Sequence, residues 1–184
     1  SAKEKYEFLY NQKVDLVDSK KNLETLIKEI EDVVKNSFKE AYDEIDKNFN
    51  YMCKEILNNS IGNLSLLDET DLLESGVELM VKFKNKKYQS LSLLSGGEKS
   101  MVAVALIMAI FMYKPSPFTF FDEIEAALDE SNTKRLLRKL KEFTDRSQFI
   151  LITHNKHTMK ESDQLYGVTM NKEIGESKIL SVVL

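Results

Sequence analysis

The first sixty residues contain neither Gly nor Pro. A stretch that long without a helix breaker predicts continuous helix. Leu9, Leu16, Leu23 and Ile30 recur every seven residues, as do Ile27, Val34 and Ala41. This heptad spacing marks the seam of a coiled coil, interrupted by Lys13 and Lys20. The same stripe would also serve a surface helix on a bundle. The chain offers no obvious second long helix to cover it, which favours a coiled-coil strand whose partner lies elsewhere. Beyond Ala41 the apolar set shifts to Tyr42, Ile45, Phe49, Met52 and Ile56, a spacing suited to packing on a globular body. The expected division is therefore a coiled-coil or neck stub over 1–40 and a globular lobe over 41–184.

The remainder has the makings of a core. Of 184 residues, 42% are hydrophobic, which argues against general disorder. Net charge is -4, so no bulk positive field argues for nucleic acid. One cysteine, Cys53, excludes an internal disulfide framework, and two histidines, His154 and His157, cannot build a three-histidine metal centre. The charged N-terminus SAKEKYEFLYNQK is expected to carry no signal peptide. The longest apolar run, Met101 to Tyr113, is too short to span a bilayer and predicts a buried helix. The cytoplasm is the expected compartment.

Between 61 and 94 the pattern reads as short strands, Asn63 to Leu67 and Val77 to Phe83, with a hairpin turn at Asn85 to Lys87. Lys82, Lys84, Lys86 and Lys87 form the one dense basic cluster, either an ordinary solvated hairpin or a DNA-facing patch. From 95 onward the pattern is α/β. Phe118 to Phe121 and Phe149 to Thr153 read as strands covered on both faces, joined by a charged amphipathic helix over Asp129 to Phe143. Strand, helix, strand in that order is a crossover unit of a mostly parallel sheet. Leu165 to Met170 and Lys178 to Leu184 add two more strands, with Gly175 helping to turn between them.

Four short segments carry chemistry. In LSGGEK, Ser95 and Glu98 have the spacing of a capping box, which accounts for both. It does not account for Gly96 and Gly97, which cost helix stability but bare the backbone amides an anion needs. In PFTFFDE, a strand runs into Asp122 and Glu123 at what should be the ligand-binding edge of an α/β sheet. This is a Walker B arrangement, with Asp122 placed to hold Mg²⁺ and Glu123 to orient or deprotonate a water. It also reads as an acidic pair pointing into solvent. Asp129 in ALDES could cap the next helix. His154 in FILITHN follows a buried strand and could donate to a terminal phosphate, whereas His157 reads as a surface residue.

In combination these segments resemble the signature motif, Walker B, D-loop and H-switch of the ATP-binding cassette superfamily. More specifically, LLSGGEKS, KPSPFTFFDEIEAALDESN, SQFILITHNKHTM and DQLYGVTM resemble the Structural Maintenance of Chromosomes (SMC) family, and the likeness covers nearly the whole chain. Glu125 stands where that family usually has Asp. ILNNSIGNLSL replaces a glycine-rich stretch, and FKNKK replaces a Pro-Gly-Lys turn.

The resemblance implies the C-terminal lobe of an ABC-type ATPase head from a prokaryotic SMC, with a stub of the returning coiled coil. It implies ATP and Mg²⁺ as ligands. Glu123 and His154 become catalytic, Asp122 metal-binding, and Ser95, Gly96, Gly97, Glu98 and Asp129 nucleotide-contacting. Implied partners are the N-terminal half of the same head, a second head in an ATP-dependent homodimer, a kleisin subunit at the C-terminal strands, and DNA through the full complex, on the nucleoid and without a membrane. The implied role is chromosome condensation and segregation. No G-x-x-x-x-G-K-[ST] occurs among the six glycines, so the P-loop must come from the other half; without it the isolated chain is expected to be inactive and, with the helix stripe and one side of the sheet left exposed, poorly soluble. Readings kept beside this one are a DNA-repair head of the RecN kind, a membrane-transporter cassette, which the long heptad helix argues against, and a non-catalytic partner-binding module.

Overall fold

A computed structural model describes residues 2–171 and 175–183. Its elements run α1 (Ala2–Ile56), β1 (Ile61–Leu66), β2 (Val77–Lys82), β3 (Gln89–Ser90), a 3-10 turn (Leu91–Leu93), α2 (Gly96–Tyr113), β4 (Phe118–Asp122), α3 (Glu130–Glu142), β5 (Gln148–Ile152), α4 (Lys156–Glu161), β6 (Gln164–Asn171) and β7 (Glu176–Val183). The chain divides into two compact units. One holds α1 up to Glu44 with Leu66–Gly76, and the other holds Ile45–Ser65 with the rest from Val77 onward.

The predicted long helix is continuous from Ala2 to Ile56. In the first unit Leu16, Leu23, Ile27, Ile30 and Val34 are all exposed, so nothing in that unit covers the heptad stripe. The last turns of α1 behave differently. Phe49, Met52, Cys53 and Ile56 are fully buried in the second unit. Burial pushes the Cys53 thiol up to about 12, as expected of an inert structural cysteine. Gly62 packs directly on this group: a Cβ there would lie 2.5 Å from Cys53 Sγ and 2.8 Å from the Phe49 ring. The helix is turned off by Asn58 and Asn59, both at positive φ. Asparagine tolerates that left-handed region, so two asparagines here make the turn without glycines.

The predicted crossover unit is present. β4 and β5 pair in parallel from Phe118↔Gln148 to Asp122↔Ile152, with α3 between them in the chain. Elsewhere β1-β2-β3 form a sheet in which β2 and β3 run antiparallel, and β6–β7 is an antiparallel hairpin from Gln164↔Val183 to Asn171↔Glu176. The last predicted strand residue, Leu184, lies outside the described residues. The expected exposed side of the sheet is present. The β4–β5 pair is covered on one face only. Phe121 is buried and stacks on Phe149, which also meets Phe111 of α2; Phe111 in turn meets Phe143 beyond α3. On the opposite face Phe118, Phe120, Ile150 and Ile152 are exposed. Alternate residues of a strand point to opposite faces, so an unbroken apolar run shows that both faces are apolar but not that this chain covers both.

α2 begins at Gly96, earlier than its apolar run, and reaches 18 residues. By length and composition alone it could cross a membrane. Val102, Val104, Ala105, Met108, Ala109 and Phe111 are nevertheless buried in the second unit, while Ala103, Ile107, Ile110 and Tyr113 are exposed, so the helix expected to be buried is covered along one side.

α3 is fixed to the foot of α1 by a buried lysine. Lys139, 4% exposed, donates to Glu55 at 2.7 Å, Glu142 at 2.8 Å and Tyr51 at 2.9 Å. Burial alone would lower its pKa; the bonds to Glu142, Glu55 and Tyr51 outweigh burial and hold it above the usual lysine range.

Candidate functional site

Parallel pairing decides where the acids and the histidine meet. Because Asp122 and Ile152 are opposite each other, both strands end on the same sheet edge. Asp122 is the last residue of β4 and is exposed there. Glu123 follows at φ 47, an uncommon backbone for a residue with a side chain. Its amide donates to Ile152 O at 2.9 Å and its carbonyl accepts from Ala126 N at 3.0 Å. This turn brings Glu123 Oε1 to 3.1 Å from His154 Nδ1. With Nδ1 protonated, His154 donates to the carboxylate. Both side chains remain open to solvent, at 78% exposure for His154 and 52% for Glu123. They border a shallow cavity of about 130 Å³ with Glu125, Ala126, Leu128 and Asn155.

Glu125, which the sequence marked only as a departure from the family's usual Asp, has a role that sequence reasoning missed. It is 6% exposed, and one oxygen, Oε1, accepts from both Thr153 Oγ1 and Thr158 Oγ1, the latter at 3.0 Å. Thr153 Oγ1 in turn accepts from Asn155 N at 2.9 Å. The carboxylate thus clamps the residues on either side of His154. An acid two places after the Asp122–Glu123 pair, with threonines near a strand-end histidine, was the available signal.

The glycine-bearing cap lies at the start of α2. Ser95 is its N-cap, and the capping box is complete: Glu98 N donates to Ser95 Oγ at 3.4 Å, and Glu98 Oε2 accepts from Ser95 N at 3.0 Å and Ser95 Oγ at 2.9 Å. The amides of Gly96 and Gly97 have no partner within the helix, as at any helix start. Around Gly96 a Cβ would meet nothing within 4 Å, while at Gly97 it would lie 3.6 Å from Ala127 O. Gly97 therefore sits beside the loop that leads on from Glu123.

Glu98 has a further partner, Lys86 of the β2–β3 turn, at 2.9 Å from Oε1. Lys86 first, then the Ser95 amide and hydroxyl, hold the Glu98 carboxyl down at about 2. Of the basic cluster, Lys86 is thus engaged within the fold, and Lys82 lies over the Tyr88 ring at 5.8 Å.

Asp129 caps α3, accepting from Asn132 N at 2.8 Å. Asn132 Nδ2 also reaches Met101 Sδ at 2.9 Å, which ties the start of α3 to α2. His157 faces Glu130 at 3.4 Å and stands apart from the Glu123–His154 pair. Among the described residues no cluster of three acidic, histidine or cysteine side chains could hold a metal unaided.

Residues 3–176 match the family model of the RecF/RecN/SMC N terminal domain. The chain is 62% identical over 179 residues to the chromosome partition protein Smc of Fusobacterium nucleatum and 43% identical over 181 residues to that of Bacillus subtilis. These alignments take in 97% and 98% of the chain but only 15% of either relative. The chain also superposes, at TM-score 0.81 and 34% identity, on a crystal structure of the Pyrococcus furiosus Smc head domain with an extended coiled coil bound to the C-terminal domain of ScpA, over 98% of this chain and 45% of that one. A second structure, from work on ATP-driven dimerization and DNA stimulated activation of SMC ATPases, matches at TM-score 0.73 and 34% identity over 80% of this chain and 89% of that one. With a family match over nearly its whole length, the chain belongs to the RecF/RecN/SMC family, on its SMC branch.

Proposed function

We propose that this chain is the C-terminal half of an SMC ATPase head, completed by an N-terminal half that brings the P-loop, and that two completed heads hydrolyse ATP between them to drive head engagement and release on the nucleoid. The observation that carries the reading is the Glu123–His154 pair, 3.1 Å apart at the shared edge of two parallel strands, directly after Asp122.

Within its own head, Glu123 orients the attacking water and takes its proton. His154 holds one carboxylate oxygen through Nδ1–H, leaving the other for that water, and in its imidazolium form Nε2–H donates to the terminal phosphate. An exposed single aspartate suits Mg²⁺, which keeps its waters and takes one or two carboxylates with substrate phosphates, so Asp122 would hold it. Bound there, the ion would neutralise charge on the phosphates. Toward the opposite head, the Gly96 and Gly97 amides and the α2 dipole receive the γ-phosphate, and the Ser95 hydroxyl joins them once its proton turns from Glu98 Oε2 to the phosphate. Glu98 braces Ser95 for that task, and Asp129 sets the loop beside it. The kinship with a head bound to ScpA supports a kleisin partner, which we place on the β6–β7 surface. DNA is met through the full complex.

The test is Glu123→Gln in the completed head. The amide keeps the shape and loses the base, so ATP should bind and dimers should persist in light scattering while turnover is lost. Turnover at the wild-type rate would remove Glu123 from this role.

A further inference from the structure

The basic hairpin supplies a residue that the reading above leaves idle. A carboxylate one turn into the α2 cap stands beside the place where a γ-phosphate would arrive. Left bare, Glu98 would repel that phosphate. Its capping duty nonetheless keeps it there, since both its contacts to Ser95 use Oε2. The free oxygen, Oε1, is taken by Lys86 Nζ at 2.9 Å. Lys86 comes from a turn set by Asn85 at positive φ and by Lys86 N donating to Phe83 O at 3.0 Å, and its side chain also passes over the Phe83 ring at 5.5 Å. Glu98 keeps about a quarter of its side-chain surface exposed and Lys86 about half, so water screens the pair in the free head. Closing a second head over the cap would remove that water and strengthen every charge interaction there.

Resting on the head reading, we propose that Lys86 is an electrostatic positioning residue for ATP-driven engagement: it neutralises Glu98, so that the cap offers Ser95 and the glycine amides to the phosphate without an opposing charge. Lys86 touches neither nucleotide nor water in this scheme and acts through Glu98 alone. That separates it from a lysine that binds phosphate or DNA directly.

The experiment compares completed heads carrying Lys86→Met, Lys86→Arg, and Lys86→Met with Glu98→Gln, by light scattering against ATP concentration at low and high salt. Lys86→Met should weaken engagement roughly tenfold at low salt and less at high salt, with ATP affinity of the single head unchanged. Lys86→Arg should restore it. Glu98→Gln in the Lys86→Met background should recover most of the loss, because glutamine still completes a capping box and carries no charge. Carbon-13 titration of Glu98 should show its carboxyl rise from about 2 in Lys86→Met, stopping short of the ordinary range because the Ser95 bonds remain. Unchanged engagement in Lys86→Met, or no recovery with Glu98→Gln, overturns the proposal while the head reading stands. An unmoved Glu98 titration overturns the ion pair whatever engagement does. A wild-type head that fails to engage with ATP sinks the head reading and this proposal with it.

Discussion

Glu125 offers the sharpest test of how the histidine is held. Glu125→Ala removes the one acceptor shared by Thr153 and Thr158. Thr158 is 1% exposed, so its hydroxyl loses its partner where water cannot replace it, a cost of about 1–3 kcal/mol. Thr153 is half-buried and can turn toward the adjoining cavity, so its loss is smaller, about 1 kcal/mol. The sum is about 2–4 kcal/mol. For a domain of this size each kcal/mol moves the melting temperature by about 2–4 °C, giving a drop of roughly 4–16 °C. The completed head should be followed by calorimetry, by amide exchange at Asn155 and by ATP turnover. Asn155 N reports directly because its acceptor is Thr153 Oγ1. Protection there should fall, and kcat should fall with it as His154 loses its fixed distance from Glu123, while KM holds. Glu125→Gln keeps an acceptor oxygen and should lose much less. An alanine variant that melts with the wild type and keeps Asn155 protected would refute the clamp.

Three further outcomes are expected. Ser95→Arg should spare ATP binding to a single head and abolish ATP-driven engagement, because its bulk and charge fall at the α2 cap; undiminished dimers in light scattering would contradict this. The isolated chain should show no saturable ATP binding by titration calorimetry, since none of its six glycines belongs to a P-loop; a micromolar dissociation constant would sink the split-site reading. The depressed Glu98 carboxyl stabilises the α2 cap fully above its ordinary value of 4.5, and that contribution is lost as pH falls through about 2. The protection of the Glu98 amide, taken against its intrinsic exchange rate, should therefore fall between those limits, and a loss already complete at pH 4 would show Glu98 to be unpaired.

What the sequence disclosed was governed by nearest neighbours. The long helix needed only the absence of Gly and Pro before residue 61, and the capping box only Ser95 and Glu98 three places apart. Each strand end carrying Asp122 or His154 could be placed because an apolar run stops there. What stayed hidden was set by contacts between distant segments. Lys86 read as part of a solvated or DNA-facing patch, since nothing local announces a partner twelve residues on. Lys139 read as a charged position on an amphipathic helix, although Glu55 and Tyr51 of α1 bury it. That one side of the sheet is bare was legible, but not which residues form it: Phe118 and Phe120 are as apolar as Phe121, and only tertiary structure tells which of them this chain covers.

Glu123, which we propose as the base, stands against the local rules of its backbone. Its φ of 47 belongs to a region where glycine or asparagine is at ease, as at Asn58, Asn59 and Asn85. Such a conformation in a glutamate costs about 1–3 kcal/mol and survives only where the surroundings over-determine it. They do so here. Glu123 N is bound to Ile152 O, Ala126 N to Glu123 O, and Leu128 N to Glu125 O, so the turn is pinned to β5 on one side and closed on itself on the other. The Glu125 clamp then fixes the facing segment on which His154 rides. Glycine at 123 would relieve the strain and keep every one of those backbone bonds. The turn therefore does not require a glutamate, and what the strain secures is a carboxylate at the end of a strand, 3.1 Å from an imidazole.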